Sequence, residues 1–218
     1  MAAKHAIRMV ICATVILSTT ASTAAEKMML LRFGALWPRK LLETDKPTAW
    51  DIGAQYGVLV DKKIGIGMGV DLLWNRTVDE KKVENPANPA DSLYEITRRE
   101  SSFMFPVYAF AYIDPFSRFI VHPAISFAAG YNSMIYNFDN EDELRGGEVM
   151  DHDPDGYYFG LYMKLAADAL VNLGENSALL VGIDYQWANV RSAKTYENKY
   201  HRRDMGGIGL RAGVRVVL

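Results

Sequence analysis

Between Trp50 and Val60 the chain alternates without a break, with Trp50, Ile52, Ala54, Tyr56, Val58 and Val60 on one parity and Asp51, Gly53, Gln55, Gly57 and Leu59 on the other. Successive side chains of a strand point to opposite faces, so this segment predicts a strand with one apolar and one polar or small face. After Asp61-Lys62-Lys63 the pattern resumes as Ile64, Ile66, Met68, Val70, Leu72 and Trp74 against Gly65, Gly67, Gly69, Asp71, Leu73 and Asn75. The short polar break predicts an antiparallel hairpin. Both strands exceed the ~5–6 residues usual in soluble sheets and suit the ~9–11 tilted residues that cross a bilayer.

The alternation recurs on both sides of this hairpin. A first strand runs from Met29 to Trp37 and ends at Pro38; later ones cover 95–113, 119–132, 157–171, 179–188 and 209–218. Pro106 inside the fourth strand predicts a bulge or a broken ladder. The stretch 157–171 is open to a second reading, because Leu161 to Leu173 is rich in helix formers and is closed by Gly174. The segment from Val78 to Tyr94, with Pro86 and Pro89, predicts a long exposed loop that does not continue a central strand. Further polar loops are expected at 39–48, 138–156 and 191–204, and short turns at 61–63, 114–118 and 172–176. Short turns thus follow the second, fourth and sixth strands and long loops follow the others. The predicted fold is all-β: an antiparallel up-and-down transmembrane β-barrel of about eight strands, with both ends on the short-turn side.

Two features separate a membrane barrel from a soluble one. Trp37, Trp50, Trp74 and Trp187 all take the apolar parity next to long loops, and Tyr131 and Tyr157 join them on that edge. A bilayer gathers such rings in a girdle at headgroup level, whereas a soluble core would spread them through its interior. The opposite parity carries Arg32, Lys164, Arg211 and Arg215 with Asp51, Asp71, Asp168 and Asp184, together with Gln55, His122, Ser126 and Gln186. The narrow lumen of a barrel of about eight strands is filled by side chains. Charges there must be paired, so the near balance of signs predicts a closed ion-pair network over an open pore. A lipocalin-like barrel would reverse this polarity, and a secreted sandwich would bathe the charges in water.

At 218 residues and 50% hydrophobic the chain suits a single domain, while 23% charged residues leave no continuous apolar run of about 18 in its body. A net charge of −2 without a basic stripe argues against nucleic acid as a partner. At the N-terminus Lys4 and Arg8 precede an apolar run from Met9 to Leu17 and a small, polar stretch to Ala25. That is the layout of a signal peptide, residues 1–25, cut near Ala24 or Ala25, leaving a barrel domain at 26–218. The single cysteine, Cys12, lies in the signal, so the mature chain carries no thiol chemistry.

Over essentially the whole mature chain the pattern resembles the small outer-membrane β-barrel proteins of the OmpA transmembrane-domain and OmpX type. The run Arg211-Ala-Gly-Val-Arg-Val-Val-Leu218 is similar to that family's assembly signal, with Leu218 where an aromatic residue is usual. The resemblance implies residence in a Gram-negative outer membrane, a monomer in contact with membrane lipid and lipopolysaccharide, and usually no enzymatic activity. A structural or surface-interaction role would then fall to the long extracellular loops and whatever surface ligand they meet.

Two groups of residues invite chemistry. His122 and Ser126 share a parity, and some small barrels modify lipid A with His and Ser. Those enzymes work at the lipid boundary, however, and both residues here take the lumenal parity, so a lipid A-modifying enzyme stands second and a narrow solute channel third. No cofactor is expected, with one candidate exception. Asp151, Asp153 and Asp155 alternate before Gly156 as calcium-loop carboxylates do, but the closing acidic position of a full loop is Tyr162.

Overall fold

The computed structural model describes residues 26–38, 48–61, 63–84, 92–140, 155–195 and 200–218; the side chains of 38, 79–98, 139 and 140 fall outside the description. The expected signal peptide, residues 1–25, lies outside the described residues. Alternation becomes strand throughout: β1 Lys27–Pro38, β2 Ala49–Asp61, β3 Ile64–Glu84, β4 Ser92–Ile113, β5 Val121–Asn140, β6 Gly156–Asn172, β7 Ser177–Ser192, β8 Arg202–Asp204 and β9 Gly207–Val217. From β1 to β8 neighbours in sequence pair antiparallel, and β9 pairs with both β1 and β7, so the sheet closes on itself. β8 continues β9 in the same register against β7 across Met205-Gly206, where the Met205 amide donates to the Ala188 carbonyl at 2.8 Å. Together they form one interrupted stave, and the barrel has eight.

Register fixes the shape. Starting at Met28 and stepping across each pair, the path runs through Gly57, Gly67, Phe110, Ala128, Lys164, Gln186 and Gly207 and returns to β1 at Pro38. One circuit therefore climbs ten residues. A closed sheet needs such a stagger, and with eight staves it leaves a bore that side chains can fill. The residues on that circuit from Met28 to Gly207 carry the inward parity. The opposite parity faces outward, as in β2, where Asp51 and Gln55 are buried while Trp50, Ile52 and Tyr56 are exposed.

Several sequence expectations are corrected. Most of 78–94 is not a loop: β3 and β4 stay paired from Val78↔Arg99 to Glu84↔Ser92, with a register shift at Asp79/Glu80. The rule invoked for prolines concerns central strands. Here two segments pair with each other past the tryptophans, and Pro86 and Pro89 fall among residues 85–91, outside those described. β5 likewise runs on to Asn140 and begins only at Val121, leaving Phe119 and Ile120 in the turn. Of the two outcomes expected at Pro106 the broken ladder is the one found: β3–β4 pairing is interrupted between Val70↔Val107 and Leu73↔Met104 without a change of register, and Pro106 still pairs with Asn132 of β5. The open question at 157–171 resolves as strand. Helix propensity there yields to period-two burial, with Leu161, Met163 and Leu165 outward and Tyr162, Lys164 and Ala166 inward.

Candidate functional site

The interior is organised on the Asp71 carboxylate, which β3 points into the barrel at 1% exposure. Four side chains from three other strands converge on it. Arg32 of β1 forms an ion pair with it, Lys164 Nζ of β6 lies 2.7 Å away, the Tyr108 hydroxyl of β4 donates at 2.7 Å, and the Tyr162 hydroxyl reaches Asp71 Oδ2 at 3.2 Å. Around this hub Arg32 and Gln55 donate to the Tyr108 hydroxyl at 2.9 and 3.2 Å, and Gln186 donates to Asp184 at 3.0 Å. Lys164 Nζ also stands 4.8 Å from the centre of the Tyr108 ring, a favourable place for a cation. Gly53 and Gly69 make the room: a Cβ at the first would collide with Asp71 and Arg32, and at the second with the Tyr108 ring.

Two further layers lie toward the short turns. Arg211 grips Asp168 with two nitrogens, at 2.8 and 2.5 Å, and reaches Ser126 Oγ at 3.3 Å; such a bidentate fork is the strong form of this pairing. Below it Asp114 gathers Arg215 Nη1 and His122 Nε2, each at 3.0 Å, and the Tyr112 hydroxyl at 3.2 Å. The other nitrogen of His122 faces the Phe119 carbonyl at 3.0 Å. The two residues that invited acyl chemistry thus hold structural contacts in separate clusters.

Toward the long connections Arg203 pairs with Glu100 at 2.7 Å and lies 3.8 Å over the Tyr136 ring. Burial alone would lower its pKa, but Tyr136 and Glu100 outweigh that and hold it above the ordinary guanidinium value.

The structure therefore places Arg32, Asp71 and Lys164 in one cluster, Asp168 and Arg211 in a second, and His122 and Arg215 in a third. Asp51 sits 4.0 Å from Arg32, and Asp184 is bound through Gln186. Sequence reasoning missed Tyr108, Tyr112, Tyr162, Glu100 and Arg203 as members, and took Asp114 only as a turn residue. Parity was the available signal for the tyrosines, which share a face with the charges. Of the three carboxylates considered for calcium, Asp151 and Asp153 lie outside the described residues, and Asp155 Oδ1 accepts the Phe138 amide at 2.6 Å.

The outer surface has the opposite chemistry. Trp37, Trp50, Tyr131, Tyr157 and Trp187 are exposed there and Trp74 is half-buried beside them. Trp50 and Trp74 are direct cross-strand partners, and Phe33 stacks on Trp50 at 5.5 Å. Between these rings and the short turns the surface is Leu31, Ile52, Phe127, Leu165, Val181, Ile183 and Leu210, all exposed. A continuous apolar belt of this extent is foreign to a water-soluble monomer. Lipid solvates it without cost, and a closed barrel leaves no backbone group of its wall unpaired in the hydrocarbon. Apolar outside and ion-paired inside, this is a transmembrane β-barrel.

Its fold is that of the small outer-membrane barrels. Neisserial surface protein A aligns over 88% of this chain and 96% of its own, with 13% identity and a TM-score of 0.50. The N-terminal β-barrel domain of OprF from Pseudomonas aeruginosa covers 88% of this chain and 97% of its own at 9% identity and a TM-score of 0.46. The attachment invasion locus protein Ail of Yersinia pestis covers 89% and 99% at 10% identity and the same score of 0.46. At such identities the likeness is one of fold alone. No family model matches the chain, and no curated protein matches its sequence.

Proposed function

We propose that the protein resides in an outer membrane with its short turns toward the periplasm, and that it works as a closed anchor whose outer rim makes the functional contacts. The carrying observation is the cross-lumen cluster of Arg32, Asp71, Tyr108, Tyr162 and Lys164, each no more than 3% exposed. A bore filled by paired charges and tyrosines supports neither conduction nor access of a substrate to the inside. The rim has material for contacts: β3 and β4 extend well past Trp74 as a paired hairpin, and the longer connections leave from the same end.

Planar bilayers test the closed lumen. The wild-type chain is expected to give no discrete current steps. Reproducible steps whose size changes in Arg211→Gln would instead establish a narrow channel.

A further inference from the structure

On the outer wall, past the aromatic girdle, two arginines face one another. Arg191 of β7 is the direct cross-strand partner of Arg202 of β8, and on its other side it is paired with Phe159 of β6. Both guanidinium-bearing residues are exposed. Like charges directly opposite on a sheet are destabilising, and among the described residues neither is within ion-pair distance of a carboxylate. Asp204, the next outward position on β8, turns Oδ1 to the Gly206 amide at 2.9 Å. Among the described residues Arg191 has the Tyr200 ring, 5.5 Å away. By contrast Arg32, Arg203, Arg211 and Arg215 each have an acidic partner.

The pair stands at the head of an open groove of about 370 Å³ lined also by Tyr131, Phe159 and Leu161. Tyr131 and Phe159 stack with centres 6.4 Å apart, and Leu161 is 73% exposed. The groove therefore runs from two cations into the apolar belt. Its head lies just beyond Tyr131 and Trp187, at the level where a bilayer carries its phosphates.

We infer that Arg191 and Arg202 form a site for the phosphomonoester headgroup of an outer-leaflet lipid, whose acyl chain lies in the groove along Tyr131, Phe159 and Leu161. The guanidinium fork matches phosphate oxygens in pairs. A phosphomonoester, with a charge of roughly −1.5 to −2 near neutrality, balances two arginines, whereas a diester balances one. The anion would also remove the repulsion between the facing cations. This inference rests on the membrane placement and orientation proposed above.

Tryptophan quenching reads the site, since Trp187 lies on the same outward face of β7, four residues before Arg191. The chain from residue 26 is reconstituted in phosphatidylcholine bilayers doped with brominated phosphatidic acid, phosphatidylglycerol or phosphatidylcholine. The expected result is about tenfold tighter binding of phosphatidic acid than of phosphatidylcholine, from two arginines acting near the surface, with phosphatidylglycerol weaker than phosphatidic acid. The preference should fall to near unity in Arg191→Gln/Arg202→Gln, vanish with Trp187→Phe, and persist in Arg118→Gln at the opposite end of the barrel. Equal preference in the double variant would overturn the site, and equal binding of the diester would overturn the headgroup class. Abolition by millimolar inorganic phosphate would make it a free-anion site and overturn the lipid. No quenching by any brominated lipid would instead overturn the membrane placement itself. Heat-modifiable gel mobility checks that each variant is folded.

Discussion

At the scale of single residues, Asp71 counters two buried cations at once and accepts two tyrosine hydroxyls. Removing one member of a buried pair leaves an uncompensated charge, which costs more than the pair itself contributes. Asp71→Asn keeps the volume, removes the charge, and leaves Arg32 and Lys164 in a closed bore without their shared partner. It should lower stability by about 3–5 kcal/mol, measured as urea unfolding of the barrel refolded into vesicles. An unchanged midpoint would show that Asp71 is not the hub. Parity alone revealed that these charges face inward. Which aspartate serves which cation could not be read that way, because partners are chosen by the stagger of the barrel: Asp71 meets Lys164 across the bore, 93 positions away. Asp114 was invisible for another reason, since Asp-Pro is as good a turn signal as it is a ligand set for Arg215 and His122.

At the scale of elements, the period-two pattern was a sound guide wherever both faces of a strand had distinct solvents. Residues 157–171 show this most sharply: their composition favours helix, yet only a strand sends Leu161, Met163 and Leu165 to lipid while Tyr162 and Lys164 face the bore. The pattern failed past the membrane. There water lies on both sides of β3 and β4, so nothing forces alternation, and the sequence from Val78 to Tyr94 looks like a loop while the backbone of 78–84 stays paired with that of 92–99. This extension is expected to be dispensable for folding. Replacing residues 80–97 with an Asn-Gly turn, which joins the partners Asp79 and Arg98, should leave refolding yield and heat-modifiable mobility intact while removing any contact made by the rim. A variant that no longer refolds would make the hairpin part of the barrel's own stability.

At the scale of the whole molecule, one physical idea joins the belt, the bore and the eight closed staves. The apolar face of each strand is solvated by hydrocarbon, so the charged face must be satisfied inside and the sheet cannot keep an edge. The same idea explains why 50% hydrophobic residues coexist with so many exposed ones. Residues 26–218 contain no cysteine, which makes single-cysteine spin labelling direct. Labels at Leu179, Val181 and Ile183 of β7 are predicted to collide with dissolved oxygen and to be shielded from a water-soluble nickel chelate, while a label at Lys194 behaves in the opposite way. Nickel accessibility at Val181 and Ile183 equal to that at Lys194 would place the apolar face in water and contradict the account.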